Sequence, residues 1–274
     1  MKYSIITINY NNAKGLRNTI ESVVSQTFTD YEFIVIDGGS TDGSSGIIKE
    51  FQDRISFWVS ERDRGIYHAM NKGIARARGA YLNFMNSGDC FYDKDVLRQV
   101  SSRRLWGDMV VGHDYHYSDT LKKGYVSPHP DRLSMLTFYE GTLAHQSTFF
   151  KRELFENAAY DETKKYVSDW MFYLQKVVEE GKTVQFIPDI VCRREAGGVS
   201  ESQQKSSLKE KEACLQAFLP AGILRDYQTL SLLDKTTLYR LFAICEHPRG
   251  RKWLTLAVKA LIRLCRTQRQ RRQP

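Results

Sequence analysis

Along the first hundred residues, short apolar runs alternate with stripes of apolar residues at helical spacing. Tyr3–Tyr10 (YSIITINY) is a β-branched run with a polar end and reads as a buried strand. Leu16–Gln26 carries its apolar residues at helical spacing. Glu32–Ile36 (EFIVI) is a second buried strand. It stops abruptly at Asp37-Gly38-Gly39-Ser40-Thr41-Asp42-Gly43, a run dense in breakers. Ser44–Phe51 then reads as a helix, Ile55–Ser60 as a short strand and Ile66–Arg78 as a helix. Tyr81–Met85 is a strand that runs into Asn86-Ser87-Gly88-Asp89. This alternation predicts right-handed crossovers and a mostly parallel sheet with helices on both faces. Ligands of such sheets bind beyond the carboxyl ends of the strands. The polar turns Asn9–Asn12, Asp37–Asp42 and Asn86–Asp89 are therefore predicted to open onto one crevice.

Beyond about residue 100 the pattern weakens. Asp108–Gly112 reads as a strand, Asp114–Arg132 as a loop or hairpin, and Thr148–Phe150 is a short apolar patch. Asp169–Glu180 is an amphipathic helix stopped by Gly181. Val184–Ile187 is a strand, Gly197-Gly198 opens a polar loop, and helices dominate from about Ser206.

Composition adds two constraints. The chain has 274 residues, 42% hydrophobic and 12% aromatic, which suits a folded chain with a sizeable core. The net charge of +8 is concentrated: residues 1–200 hold 25 Lys+Arg against 26 Asp+Glu, whereas residues 201–274 hold 15 against 6. That asymmetry points the C-terminal quarter toward an anionic partner. The five cysteines are scattered without a CxxC, which suggests neither a disulfide framework nor a zinc site and fits a reducing cytoplasm. No signal peptide is expected from the opening Met1-Lys2 run, and no stretch approaches the ~20 apolar residues of a membrane span.

Four ordered motifs then carry a resemblance. They are Ser4–Asn11; Val35–Gly43 (VIDGGSTDG); Gly65–Gly73 (GIYHAMNKG); and Phe84–Asp89 (FMNSGD). His145-Gln146-Ser147, Ser168-Asp169-Trp170 and Gly197-Gly198-Val199-Ser200 follow in order. Over roughly residues 1–200 the chain resembles family 2 glycosyltransferases, in particular the subgroup of capsule, O-antigen and colanic-acid polysaccharide loci. The resemblance implies a GT-A type, Rossmann-like α/β fold with a helical C-terminal appendage. It implies a catalytic domain over 1–200, with a nucleotide-sugar half (1–100) and an acceptor half (101–200), followed by a basic helical region (201–274).

It also implies roles. Thr7, Tyr10, Asn11, Asp37, Gly38, Gly39, Asp63 and Asn71 fall at donor-nucleotide positions. Asn86 and Asp89 take the place of the metal- and diphosphate-binding DxD motif, with Mg²⁺ or Mn²⁺ as the implied cofactor, since both favour hard oxygen ligands. Asp169 is the implied general base, and His145, Gln146 and Trp170 fall in the acceptor or sugar pocket. The chain departs from the pattern at Gly38 and Asn86, where the family more often has Asp, at Met70, where it has Arg, and at His68, where the subgroup has Asp.

Each residue also has a plainer reading. Asp37 either touches the nucleotide or caps its own turn. Asn86–Asp89 is a metal site or an ordinary turn. Asp169 serves as base, as the N-cap of a helix starting at Trp170, or as both. Arg64 meets a phosphate or is solvated; His145 lines a pocket or packs. Tyr67, Trp106 and Trp170 stack on sugars or sit in the core.

Trp253–Cys265 is apolar over most of its circumference, with Lys252, Lys259, Arg263 and Arg266 near one face and Arg269, Arg271 and Arg272 beyond. It reads as a helix on an anionic membrane surface or as one packed on the catalytic domain. Basic residues interleaved with aromatics are missing, so nucleic acid is not the expected partner. The reading that follows is a cytoplasmic inverting transferase, peripheral at the inner membrane face. It moves a sugar from a nucleotide-diphosphate sugar to a polyprenyl-linked saccharide. The alternative is a degenerate transferase that binds nucleotide sugar without turnover. A nucleotidyltransferase would place a Gly-rich basic phosphate loop after the first strand, and Asn11-Asn12-Ala13-Lys14-Gly15 is not one.

Overall fold

Three apolar runs are buried on both faces and lie side by side as interior strands, as parallel strands flanked by helices must. They are β1 (Tyr3–Asn9), β2 (Tyr31–Asp37) and β4 (Tyr81–Phe84). β1 pairs in parallel with β2 and with β4, and β2 in parallel with β3 (Phe57–Ser60). This computed structural model describes residues 1–118, 122–130, 133–195, 203–234 and 251–260.

Helices cover both faces of this sheet because alternate strand residues point opposite ways. Tyr3, Ile5, Phe33 and Val35 share a buried cluster with Leu16, Ile20 and Val23 of α1 (Ala13–Val24). The neighbouring Ile6 points to the other face, against Gly73 of α3 (Ile66–Arg76). On that second face Phe84, Phe150, Phe155, Tyr160 and Phe172 form an aromatic cluster with edge-to-face and stacked rings. Between β2 and β3 lies α2 (Ser44–Glu50).

The second half of the sheet departs from the mostly parallel expectation. β8 (Thr148–Lys151) runs antiparallel to β4, and β6 (Met109–Ser118) antiparallel to β8. β9 (Val184–Glu195) is parallel to β6. β5 (Asp89–Phe91) closes that edge antiparallel to β9, and β7 (Lys123–Ser127) forms a hairpin with β6. The order is β3-β2-β1-β4-β8-β6-β9-β5, with β7 also on β6. The reversed β8 follows α5 (Met135–Glu140), so the segment leading into it reaches the same sheet end as the carboxyl ends of β1, β2 and β4.

One element overruns the pattern. β9 continues through Pro188, where the sequence reading stops at Ile187. The register slips between Val111 and His113 there, and such irregularities tolerate a missing N–H. Helix α6 (Ser168–Tyr173) widens into π-helical turns over Leu174–Glu179, and Gly181 ends it at φ 64. β5 and α4 (Val96–Ser102) are too short to show a period and were not expected.

One compact unit spans Met1–Leu215 and another Gln216–Pro274. Helix α7 (Gln204–Phe218) runs from the first into the second, which also contains α8 (Ala221–Asp234) and a helix over 251–260. The Gly197–Ser200 motif and the tail beyond residue 260 lie outside the described residues.

Candidate active site

The crevice begins where β1 and β2 end in register, Asn9 beside Asp37. Asp37 is fully buried. Its Oδ1 accepts from Asn9 Nδ2 at 2.7 Å and from Ser40 Oγ at 2.6 Å; its Oδ2 accepts from Ser40 N at 2.9 Å and from Ser60 Oγ at 2.5 Å. Four bonds use the carboxylate's acceptor capacity. Burial pushes its pKa up, but the hydrogen bonds from Ser40, Ser60 and Asn9 outweigh it and hold it below the ordinary value. Asp37 thus knots three strand ends together, and what it offers a ligand is the shape of the loop. Ser40 Oγ also accepts from Asn11 N at 2.8 Å, while Thr41 N donates to Asn11 Oδ1 at 2.8 Å. Thr7 is likewise turned inward, its hydroxyl on Met85 O at 2.7 Å.

Tyr10, 67% exposed, Asn11 and the half-buried Asp63 face outward at this end. A Cβ placed on Gly38 would lie 2.5 Å from Asp63 Oδ2 and 3.2 Å from the Tyr10 ring. Gly38 therefore lets the Asp63 carboxylate occupy the space beside it, and Gly65 N holds that carboxylate's other oxygen at 3.0 Å. Gly39 turns the chain at φ 78. Asn71 points elsewhere. Its amide is engaged by Tyr160 O, Glu162 Oε1 and Tyr160 N at 2.9 to 3.0 Å, so it docks α3 onto the 160–162 segment. Arg64 pairs with Glu162 at 2.5 Å, its backbone N–H bonds His68 Nδ1, and Met70 is buried.

The turn after β4 is strapped to α1. Thr19 Oγ1 donates to Asp89 O at 2.7 Å and accepts from Gly88 N at 3.0 Å. Among the described residues Asn86 Oδ1 is buried without a hydrogen-bond partner. Asp89, half-buried, accepts from Gln146 Nε2 at 2.9 Å, and Asn83 Nδ2 holds Gln146 O at 2.8 Å. Sequence reasoning placed Gln146 in a pocket but did not pair it with Asp89. It missed Arg194, which faces Asp89 in the β5–β9 register. No group of three His, Cys, Asp or Glu among the described residues forms a metal cage. One carboxylate with the unpartnered amide oxygen suits Mg²⁺ or Mn²⁺ taking its remaining ligands from substrate phosphates.

Asp169 lies in the first turn of α6, half-buried, and not at its cap, which is Val167. Tyr67 Oη donates to Asp169 Oδ1 at 2.7 Å. Tyr67 is buried, so it supports Asp169 instead of stacking on a sugar; burial and the adjacent Asp169 charge raise its pKa far above the phenol's ordinary value. His145 is buried too, stacked on Phe84 at 5.0 Å with Nε2 2.8 Å from Tyr160 Oη. Burial depresses its pKa below the ordinary imidazole value. Trp170 is buried, its Nε1 on Phe138 O at 2.8 Å and Lys211 Nζ over its ring at 5.0 Å. His145 and Trp170 are thus both buried and held by packing and hydrogen bonds. Trp106 is exposed at the amino end of β6, the sheet end away from the crevice.

A crevice at the carboxyl ends of parallel strands, with Asp89 at the start of β5 and Asp169 on the first turn of α6, sits in the mixed α/β sheet of a GT-A type fold. The family description "Glycosyl transferase family 2" matches residues 4–180, and the chain belongs to that family. An uncharacterised glycosyltransferase of Mycobacterium tuberculosis is 32% identical over 219 residues, 75% of this chain and 79% of that one. A PGL/p-HBAD biosynthesis glycosyltransferase of Mycobacterium bovis is 28% identical over 208 residues, 73% and 79% of the two chains. Two solved structures share the fold. The mannosyltransferase PcManGT of Pyrobaculum calidifontis, in complex with GDP-Man and Mn²⁺, has a TM-score of 0.60 at 18% identity, covering 97% of this chain and 82% of its own. Staphylococcus aureus TarS 1-349, in complex with UDP, has a TM-score of 0.58 at 17% identity, covering 81% and 68%.

Proposed function

We propose that this glycosyltransferase moves one sugar, with inversion, from a nucleotide-diphosphate sugar to a hydroxyl of a polyprenyl-linked saccharide during surface-polysaccharide synthesis. The observation that carries the reading is the linkage of two carboxylates through adjacent residues. Asp89 is held by Gln146, and its neighbour His145 leads through Tyr160 and Tyr67 to Asp169. Donor and acceptor chemistry thus share one wall. Complexes of TarS with UDP-GlcNAc and of PcManGT with GDP-Man support a nucleotide sugar as the donor class.

In this reading Tyr10, Asn11 and Asp63 face the nucleotide, within the loop that Asp37, Gly38 and Gly39 shape. Asp169 takes the proton of the acceptor hydroxyl as its oxygen attacks the anomeric carbon. The nucleoside diphosphate leaves from the opposite face. Asp89 and Asn86 would hold a divalent ion together with the donor's phosphates. When bound, that ion supplies Lewis-acid stabilisation of the leaving group.

The enzyme would work at the cytoplasmic membrane face. Within the helix over 251–260, Trp253 is 75% and Leu256 62% exposed beside Lys252 and Lys259, which suits an anionic interface. Among the described residues no helix is long and apolar enough to cross a membrane.

The test is a thermal-shift panel of UDP, GDP, dTDP and CMP with and without Mn²⁺, on the native chain and on Asp89→Ala, followed by Asp169→Asn. Binding to the folded state raises the melting point by mass action. One nucleotide should stabilise the native chain, and Asp169→Asn should bind it normally while losing turnover. Full activity in Asp169→Asn would remove that residue as the base. Absence of any nucleotide shift would remove the donor-site reading, whereas a shift without turnover in the native chain would move the degenerate-transferase reading forward.

A further inference from the structure

The departure at Asn86 leaves one carboxylate where the family usually has two, and the structure places a cation beside it. β5 and the end of β9 pair antiparallel with Asp89 directly opposite Arg194. Directly opposed residues of an antiparallel pair project on the same face with Cβ atoms about 5 Å apart. Behind them lies Asp114 on β6, 2% exposed. Ser147 Oγ donates to Asp114 Oδ1, and Arg194 Nη1 stands 3.5 Å from Asp114 Oδ2. A buried carboxylate needs such a partner, so Asp114 acts as an internal anchor that fixes the guanidinium. The Arg194 side chain remains 30% exposed, beside a half-buried Asp89. Gln146 holds Asp89 from another side at 2.9 Å.

We infer that Arg194 is the chain's own cation for the diphosphate of the donor, pinned by Asp114 and set against Asp89. The inference rests on the donor-site reading above and adds the group that meets the leaving-group charge. A guanidinium presents paired N–H donors that match phosphate oxygens, and it carries its charge at every working pH. Burial opposes that charge, while Asp89 and Asp114 together strengthen the hold on its proton. With Asn in place of a second Asp, the site carries less negative charge for a divalent ion to balance. Arg194 then gives the diphosphate a partner that does not depend on the ion alone. Arg194 is a binding and positioning residue here; the proton transfer stays with Asp169.

Calorimetric titration tests this with UDP and GDP against UMP and GMP, each in EDTA and in Mg²⁺. The proteins are the native chain, Arg194→Gln, Arg194→Lys and the double variant Asp114→Asn/Arg194→Gln. The double variant removes the buried carboxylate that the single change leaves unpaired. Thermal unfolding checks that each is folded. The native chain should prefer the diphosphate over the monophosphate in EDTA. Loss of a charge-assisted contact should weaken diphosphate binding about tenfold in Arg194→Gln and in the double variant, with monophosphate binding within about twofold of native. Arg194→Lys should recover part of the loss. Diphosphate affinity in EDTA that is unchanged in folded Arg194→Gln or double variant overturns the inference. So does native binding that appears only with Mg²⁺, which would leave the donor site standing. If neither nucleotide binds the native chain at all, the donor-site reading falls and takes this inference with it.

Discussion

Tyr67 and Asp169, 102 residues apart in sequence, meet in a hydrogen bond of 2.7 Å from the phenol to Asp169 Oδ1. The phenol is buried on α3, and the carboxylate stands in the first turn of α6. Tyr67 therefore fixes one oxygen of the proposed base. Removal of that hydroxyl leaves the fold's apolar contacts in place but frees the carboxylate to rotate. Tyr67→Phe should lower kcat about tenfold, the worth of one hydrogen bond to a charged group. Donor KM should change little. Steady-state kinetics read this, and an unchanged kcat would mean that Asp169 needs no such support.

Gly38 and Asp63 should be energetically coupled. The Cβ of Gly38→Ala would meet Asp63 Oδ2 at 2.5 Å, a contact that must be relieved by moving the carboxylate off Gly65 N. The change should cost about 1 to 3 kcal/mol in the native background, as overpacking does, and clearly less in an Asp63→Ala background. A double-mutant cycle by urea denaturation measures the difference. Equal costs in the two backgrounds would show that the two residues do not compete for that space.

Acid should release a second strap, far from the crevice. Asp108 Oδ2 accepts from Thr183 N and Oγ1 at 2.8 and 2.7 Å, and Oδ1 pairs with Lys151 at 3.0 Å. Burial pushes its pKa up, but Thr183 and Lys151 overcome this and hold it at about 2, against 3.8 unperturbed. A carboxyl depressed in the folded state contributes stability above its unfolded pKa and loses it as pH falls through the folded value. The contribution is about 2 kcal/mol at neutral pH and fades between about pH 4 and pH 2. Asp108→Asn should therefore be less stable than the native chain at pH 7 and converge with it toward pH 2. Denaturant midpoints across that range check it, and a pH-independent gap would assign the cost to packing.

The tail prediction concerns charge and exposed apolar surface together. Deletion of residues 251–274 removes eight Lys and Arg and no Asp or Glu. Each such cation near an anionic surface is worth up to about 1 kcal/mol, so binding to phosphatidylserine vesicles should drop more than tenfold. Co-sedimentation measures it, and undiminished binding by the truncated chain would move the contact elsewhere.

Much of the first half was legible because its signals are local. The runs YSIITINY and EFIVI are apolar on alternating and intervening positions alike, which only a strand covered on both faces requires. The breakers that end them are equally plain, so pattern alone assigns the three polar turns to one crevice. The parallel pairing of β1, β2, β3 and β4 bears out that frame. Carboxylate positions were legible for the same reason: Asp37, Asp63, Asp89 and Asp169 sit beside turn or helix-start signals.

What those side chains touch was not legible. A sequence names Asp37 at a strand tip, but the register of Asn9 against it and the return of Ser60 on β3 decide that its oxygens are consumed inside the protein. Asn71 reads the same whether it meets a nucleotide or, as here, the backbone of Tyr160. The second half of the sheet was harder still. β8 enters the sheet reversed, and β9 runs on past Pro188 to set Arg194 opposite Asp89.

The sequence by itself determined the alternating strand–helix frame, the crevice end, the candidate carboxylates and the basic bias of the C-terminal quarter. Those are properties of period, turn chemistry and composition, which act over a few residues at a time. Only the tertiary structure decided which polar groups are spent on holding the fold and which face outward. It also set the pairs Tyr67–Asp169, Gln146–Asp89 and Arg194–Asp114. Each joins residues 57 or more apart through strand order and register, and no local pattern encodes the energy of a contact that exists only once the sheet has closed.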